Sequence, residues 1–192
     1  MNAASTDVSV AGLPVAHLQD LLAESGPGPA GGSAAALATM MSAGLVRLVA
    51  RVSDGWPDAP GVAAQASALG DRALALADDD HRVYAHAMAE LASPSRDATL
   101  GAALRRAAEV PLQIAETAAD VAILAALAAQ EGSETVRGDA WAAAALAEAA
   151  TVSASRLVHV NLATRPDDDL CARADDASRA AASARDVALS AS

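Results

Sequence analysis

Apolar residues recur at helical spacing along nearly the whole chain, and no stretch alternates apolar and polar residues as a β-strand does. Breaks rich in Gly, Pro, Ser or Asp separate six such regions. We expect helices over about 15–24, 32–53, 61–92, 96–130, 139–164 and 167–188, with a kink at Pro111. The sequence therefore predicts an all-α fold: one domain over residues 1–192, built as a multi-helix bundle of long antiparallel helices. We expect residues 1–12 and the last few residues to be mobile.

Alanine dominates the composition, with 56 of the 192 residues, and phenylalanine is absent. Small side chains let helix axes approach closely, but each buries little apolar area, at roughly 25 cal/mol per Å². We therefore expect further burial between subunits and predict a homodimer. Residues 26–46 carry no charge. Because this stretch begins with Gly and Pro, it indicates a buried helix of a soluble protein rather than a membrane span.

The charged residues exclude several classes of function. All 13 positive charges are arginine and the net charge is -11, so the chain is not expected to bind nucleic acid. The absence of lysine excludes Schiff-base chemistry on a lysine side chain and a P-loop lysine. The single cysteine, Cys171, excludes an internal disulfide and suits a reducing compartment. The N-terminus lacks the basic start of a secretory signal. We therefore expect a cytoplasmic protein that does not bind membranes.

Two stretches carry candidate chemistry. Gly31, Gly32 and Ser33 lead into an uncharged helix, where glycines permit a close ligand approach and free N–H groups attract negative charge. The alternative is a flexible turn capped by Ser33. The acidic run 78–80 lies in the third predicted helix, and successive helical residues point about 100° apart, so its three carboxylates cannot all face one cleft. The alternative is a solvated acidic patch.

Two neighbours of that run add to it. Tyr84 lies four residues after Asp80 and shares its helix face. His81 is adjacent to Asp80 and can tune it or replace it as proton carrier. The alternative is that His81 is an ordinary surface residue on an acidic helix. Asp139, at the predicted start of the fifth helix, is either a site residue or a simple N-cap.

Five stretches follow one another in an order found in a known family: 18–23 with 29–38, 76–84, 109–116, Asp139, and 158–162. Together they resemble the formiminotransferase-cyclodeaminase C-terminal domain family, which includes small bacterial methenyltetrahydrofolate cyclohydrolases. The matching stretches include a glycine-serine loop before an alanine-rich helix and an Asp-x-Asp stretch before Tyr84. The resemblance covers about residues 15–170.

The resemblance implies an all-helical homodimer with a folate site near the glycine loop. Members convert 5-formiminotetrahydrofolate to the 5,10-methenyl compound and ammonia, or add water to the methenyl compound. Both reactions pass through a tetrahedral carbon between two nitrogens. They need proton transfer but no metal and no permanently bound cofactor, so a tetrahydrofolate derivative is expected only as substrate.

The resemblance also implies roles for individual residues. The family's essential acid/base aspartate falls on Asp78 or Asp80, and we favour Asp80. Asp139 aligns with the family's Ser-Asp pair and is a further candidate catalytic residue. His81 is a candidate catalytic residue by its position beside Asp80, not by the resemblance. The residues expected to bind substrate are Gly31, Gly32, Ser33, Tyr84 and Asn161.

Four positions depart from the family pattern: Ala30, Ser133, Gly138 and Leu157 replace residues that are glycine or polar in the family. Such losses predict an altered pocket. Two alternatives therefore stay open beside the folate enzyme. One is an enzyme of the same fold that acts as a cyclase or dehydratase on a different small molecule in specialised metabolism. The other is a non-catalytic helical dimer that binds a ligand.

Overall fold

A computed structural model describes residues 9–24, 28–91 and 100–191, without the side chains of residues 87–91 and 100. These parts contain six α-helices and two short 3₁₀ turns, Val10–Gly12 and Glu134–Val136, and no strand. The all-α prediction is confirmed. The helices are α1 (Val15–Ala23), α2 (Gly31–Val52), α3 (Ala59–Leu91), α4 (Leu100–Glu131), α5 (Arg137–Asn161) and α6 (Asp169–Ser190).

The five long helices form an up-and-down bundle in which chain neighbours are antiparallel. On α5, Ala143 accepts a hydrogen bond from Ser42 of α2, while Leu157 lies beside Gly31 at the start of α2. α5 therefore runs against α2. The short α1 has no buried residue and lies on the surface. The bundle places the first turn of α2 against Ala77 and Asp80 of α3.

Several helix ends differ from the prediction. α5 begins at Arg137 rather than Asp139, because a 3₁₀ turn capped by Ser133 leads directly into it. α3 begins at Ala59, since Pro60 is tolerated in a first helical turn. α4 continues through Pro111. The break around Ser93–Pro94–Ser95 and the predicted helix start at residue 96 lie outside the described residues.

Alanine supplies most of the core. Most of the buried apolar residues are alanine, and valine, leucine and isoleucine provide most of the rest. Buried hydroxyls are satisfied within the bundle; for example, Thr39 Oγ1 donates to the Ala35 carbonyl oxygen at 2.9 Å. A second, smaller cluster at the joined ends of α4, α5 and α6 contains Leu112, Leu162 and Cys171.

Some described residues near both termini pack against the bundle. Val10 is 2% exposed and belongs to the main core, and Ala191 packs against that core. The mobility expected for residues 1–12 and for the last few residues stays a prediction. Two helices, Gly31–Val52 and Gly101–Glu131, are long and apolar enough to cross a membrane. In their most apolar 18-residue stretches, 50% and 67% of the residues are buried inside the bundle.

Candidate active site

The carboxyl group of Asp80 lies where α3 passes the first turn of α2. The Ser33 hydroxyl is 3.2 Å from Asp80 Oδ2 and 3.1 Å from the Ala77 carbonyl oxygen. The backbone N–H of Ser33 lies near enough to the Asp80 carboxyl group to lower its pKa. The first N–H groups of a helix have no partner within the helix and favour negative charge. The N-terminus of α2 therefore stabilises the Asp80 carboxylate. Asp80 as a residue is only 8% exposed.

Gly32 makes this close approach possible. A Cβ atom added to Gly32 would overlap the Asp80 carboxyl group. The glycine loop was predicted to admit a ligand; in this structure the group that approaches Gly32 is a carboxyl from the same chain. No side chain at position 32 is compatible with this position of Asp80.

Opposing effects act on the pKa of Asp80. Burial raises the pKa, because the charged form loses hydration. The Ser33 hydroxyl, the Ser33 backbone N–H and the charge of His81 lower the pKa, but burial dominates and the net pKa lies above the ordinary value of 3.8. A carboxyl group shifted in this direction exchanges its proton closer to neutral pH, as a general acid and base must.

Ser33 can serve both protonation states of Asp80. Its hydroxyl carries one hydrogen and lies within bonding distance of two oxygens, Ala77 O and Asp80 Oδ2. When Asp80 is ionised, the hydroxyl can donate to the carboxylate. When Asp80 is protonated, the hydroxyl can donate to Ala77 and accept from the carboxyl O–H. The carboxyl group therefore keeps a hydrogen bond on both sides of a proton transfer.

The three consecutive aspartates have three different environments. Asp78 accepts hydrogen bonds from the Ser9 hydroxyl at 2.9 Å and the Ala11 N–H at 3.2 Å, and so holds the N-terminal turn. Asp79 is exposed and pairs with Arg82. Asp80 alone faces the start of α2. The three carboxylates thus do not share one cleft, and Asp78 has a structural contact that its sequence position did not indicate. The choice of Asp80 as the catalytic aspartate stays a prediction.

His81 is buried, which contradicts the alternative that it is an ordinary surface residue. It is 5% exposed, and its Nδ1 atom has no hydrogen-bond partner among the described residues. The reason is helix phase, since His81 follows Ala73 and Ala77 at four-residue spacing on the face of α3 that packs into the bundle.

The other predicted substrate-binding residues are less close to Asp80. Tyr84 shares a helix face with it but is 41% exposed, because α2 begins at Gly31 and leaves the next turn of α3 uncovered. Asn161, the last residue of α5, donates from Nδ2 to the Ala107 carbonyl oxygen at 2.9 Å and so joins α5 to α4.

Asp139 lies far from Asp80 within one chain. It is in the first turn of α5 but makes no cap, and the N-cap position belongs to Val136. Because α5 runs against α2, Asp139 lies near the C-terminal half of α2, about 20 Å along the helix axis from Gly32 at 1.5 Å per residue. The structure does not bring the two carboxylates together in one chain.

One surface beside the site was missed by sequence analysis. A groove of about 360 Å³ runs between α3 and α4 and is lined by Asp79, Arg82, Val83, His86, Ala103 and Arg106. The three- and four-residue spacing of the α3 members was the available signal. Within residues 9–24, 28–91 and 100–191, no three His, Cys, Asp or Glu side chains are grouped so as to hold a metal ion.

Comparison with known proteins identifies the family. A sequence profile described as formiminotransferase-cyclodeaminase matches residues 14–180, most of the chain. The chain belongs to the formiminotransferase-cyclodeaminase family. The resemblance read from the five stretches is thereby confirmed, and Gly31–Gly32–Ser33 and Asp80 both lie inside the matched region of this family.

A solved structure supports the fold. The crystal structure of formiminotetrahydrofolate cyclodeaminase from Thermotoga maritima is similar, with a TM-score of 0.84 and 22% sequence identity. The match covers 92% of this chain and 94% of that one. No curated protein sequence matches significantly. At this identity the likeness establishes a shared bundle.

Proposed function

We propose that this protein is a folate-dependent enzyme that catalyses acid–base chemistry at a one-carbon unit held between two nitrogens, as a formiminotetrahydrofolate cyclodeaminase or a methenyltetrahydrofolate cyclohydrolase. The observation that carries the proposal is the buried Asp80 carboxyl group, with its raised pKa, against Gly32 and Ser33. Membership of the formiminotransferase-cyclodeaminase family and the likeness to a cyclodeaminase structure support it.

Asp80 is the proposed proton carrier. In a cyclodeamination, one folate nitrogen attacks the formimino carbon and loses a proton, and the departing amine gains one. In a cyclohydrolase reaction, the attacking water loses a proton and a ring nitrogen gains one. A single carboxyl group can accept the first proton and deliver the second. Its raised pKa reduces the cost of holding the proton between the two steps.

A second candidate is an enzyme of the same fold with a different substrate, acting as a cyclase or dehydratase. This candidate is favoured by the apolar side chain that lies beside the glycine loop. Leu157, at a position where the family pattern has asparagine, lies 3.8 Å from the place of a Cβ on Gly31. An apolar side chain there removes a possible hydrogen bond to a polar ligand and favours a less polar one. The third candidate is a non-catalytic ligand-binding dimer.

Ligand binding and turnover separate these candidates. We expect a reduced folate at saturating micromolar concentration to raise the free energy of unfolding by about 1–3 kcal/mol in thermal-shift experiments. Ammonia release from 5-formiminotetrahydrofolate, against disappearance of the 5,10-methenyl compound, distinguishes deamination from hydrolysis. Failure of every reduced folate to shift unfolding would contradict the folate assignment and favour one of the other candidates.

We also propose that the protein is a homodimer that joins through α2 and α5. Exposed large apolar side chains project from these two packed helices: Met41, Leu48 and Val52 on α2, and Trp141, Leu146, Val152 and Val160 on α5. An apolar surface of this kind is more typical of an interface than of a monomer's exterior. The alanine-rich core offers little apolar area per residue, so burial between subunits would add to stability.

The dimer is tested by sedimentation at micromolar concentration with Met41→Glu. We expect the wild type to sediment as a dimer and Met41→Glu as a monomer, because the new charge would be buried without a partner. Leu189→Glu is the matched control, since Leu189 on α6 and Met41 are each 52% exposed. A wild-type monomer, or equal effects of both substitutions, would contradict this interface.

The proposed location is the cytoplasm, with no nucleic-acid or membrane partner. The free Cys171 is buried, and both burial and neighbouring aspartates raise the pKa of its thiol. The acidic net charge of -11 opposes binding to a phosphate backbone.

A further inference from the structure

The groove between α3 and α4 combines an apolar floor with positive charge. Its volume is about 360 Å³, and its apolar lining residues are Val83 and Ala103, of which Ala103 is only 2% exposed. Its charged or titratable lining residues are Arg82, Arg106, His86 and Asp79. The chain as a whole has 24 acidic residues and 13 arginines, so two arginines and a histidine against one aspartate run against the overall charge. This local excess of positive charge favours an anionic ligand.

Arg106 is the groove residue best placed to bind an anion. Arg82 pairs with Asp79, so these two side chains largely cancel each other's charge. Arg105, the chain neighbour of Arg106, is engaged at 3.0 Å by acidic residues of α4 and α6. Arg106 instead lines the groove, where its planar guanidinium can donate two parallel hydrogen bonds to one carboxylate.

The groove begins within one helical turn of Asp80 on α3. Val83 and Tyr84 follow Asp80 by three and four residues, which places them about 60° to one side of it and about 40° to the other. Val83 lines the groove, and Tyr84 is exposed on the other side. His86, the lining residue of α3 furthest from Asp80, lies about 9 Å from it along the helix axis at 1.5 Å per residue. A ligand whose reacting carbon is at Asp80 can therefore extend in two directions.

We propose that this groove binds the carboxylate-bearing end of the substrate, with the carboxylate at Arg106 and the apolar stem over Val83 and Ala103. This inference rests on the proposed folate-dependent function. In a folate, the reacting one-carbon unit lies between a pterin ring and an aminobenzoyl group that ends in glutamate. The groove takes the aminobenzoyl-glutamate end, and the pterin ring lies on the Tyr84 side of Asp80. The groove therefore selects substrates with an acidic end, whereas Asp80 carries the proton.

The experiment is an NMR titration of the full chain with two fragments. One is N-(4-aminobenzoyl)-glutamate, which carries carboxylates, and the other is 4-aminobenzamide, which lacks them. We expect the wild type to bind the glutamate conjugate at least about tenfold more tightly than the amide. In Arg106→Gln the affinity for the conjugate should fall about tenfold, because a charge-assisted hydrogen bond to the carboxylate is lost. The affinity for 4-aminobenzamide should stay the same.

Arg51→Gln is the matched control. Arg51 is an exposed arginine in the last turn of α2, at the opposite end of that helix from Gly32, and its substitution removes the same charge. We expect both affinities to be unchanged in this variant. The proposal would be overturned by equal affinities of the two fragments for the wild type, by no binding of the conjugate at millimolar concentration, or by an equal loss in Arg51→Gln.

Turnover separates the groove from the proposed function. With a reduced folate as substrate, Arg106→Gln should raise KM about tenfold and leave kcat within a few-fold of wild type, since the groove binds substrate and transition state alike. If Arg106→Gln weakens binding of the conjugate but no reduced folate is turned over, the groove's preference for a carboxylate stands and the proposed function fails. If a folate is turned over with an unchanged KM in Arg106→Gln, the proposed function stands and the role of the groove is contradicted.

Discussion

The two ends of α2 are packed alike but differ in chemistry. At the N-terminal end, Gly32 lets α3 approach and the Ser33 hydroxyl has two partners. At the C-terminal end, Gly132 lets the α4–α5 connection approach. There the Ser53 hydroxyl donates to the Val49 carbonyl at 2.6 Å and accepts from the Ser133 N–H at 2.8 Å. In each case a glycine permits a close approach, and a serine hydroxyl with two hydrogen-bonding partners contacts the neighbouring segment.

The difference lies in what each glycine faces. A Cβ on Gly32 would overlap an ionisable carboxyl group, whereas a Cβ on Gly132 would meet the Ala128 carbonyl oxygen and a Val49 methyl. A cavity of about 490 Å³, lined in part by Trp56 and Glu134, lies at the C-terminal end of α2. The proposed site is at the other end, so it was not chosen by cavity size. Of the two closely packed ends, only the one with an ionisable group, the Asp80 carboxyl, is therefore a candidate catalytic site.

The strongest test of this contrast removes the carboxyl group itself. Asp80→Asn keeps the shape of the side chain but removes the transferable proton, so we expect turnover to fall by roughly 10²–10⁴-fold with KM much less affected. Asp79→Asn is the control, because Asp79 is exposed and should be nearly silent. Steady-state kinetics with the substrate found by the ligand screen measures both. Full activity in Asp80→Asn would place the catalytic group elsewhere.

A matched pair of glycine substitutions compares the two ends directly. Both Gly32→Ala and Gly132→Ala overpack α2 and should cost about 1–3 kcal/mol in the free energy of unfolding. Only Gly32→Ala displaces Asp80, and we expect it to lower turnover by about 10²-fold. Urea unfolding and kinetics on the same samples separate the effects. A loss of turnover as large in Gly132→Ala would contradict the distinction between the ends.

Substitution of Asp78 tests whether the proposed catalytic role belongs to Asp80 alone among residues 78–80. Asp78→Ala removes the acceptor for Ser9 and Ala11, and we expect a loss of about 1–2 kcal/mol in stability with turnover within a few-fold of wild type. Faster cleavage of the first residues by a protease would report release of the N-terminal turn. If turnover instead falls as far as in Asp80→Asn, the catalytic aspartate was wrongly chosen.

The smallest expected effect is on the pH dependence of stability. The pKa of Asp80 is raised above 3.8 in the folded chain, so the folded state binds more protons than the unfolded state between the two pKa values. Stability is therefore lost as the pH rises through the folded-state pKa. Asp80→Asn removes this loss. The Tm of Asp80→Asn minus that of the wild type should therefore increase from pH 4 to pH 7. A constant Tm difference over that range would mean that Asp80 is not shifted.

The sequence predicted what depends on local spacing. The helical period gave the long helices, and the 100° step between residues separated Asp80 from Asp79. It did not predict the bond from Ser9 to Asp78, because 69 residues separate the two and nothing local relates them. The burial of His81 was missed for a similar reason: its charged neighbours suggested a surface, and only packing against other helices decides which face is covered.

Helix starts were predicted wrongly where a serine side chain makes hydrogen bonds other than the expected ones. Ser133 accepts from the Thr135 N–H and starts a 3₁₀ turn, which leads into α5 two residues before Asp139. The alternative reading of Ser33 as a helix cap is wrong, because α2 already begins at Gly31 and the Ser33 hydroxyl bonds to Ala77 and Asp80 of α3. Such choices depend on contacts between distant segments.

The alanine-rich core has a consequence for how the fold tolerates change. Alanine has no side-chain rotamers, so burying it costs no side-chain entropy, which partly offsets the small area that each methyl group removes from water. It also means that the core has few side chains that could rotate to make room or to fill a gap. Truncation at most core positions removes at most one methyl group, whereas enlargement must push helix backbones apart. In this bundle, gaining volume is therefore more damaging than losing it, the reverse of a core built from leucine and phenylalanine.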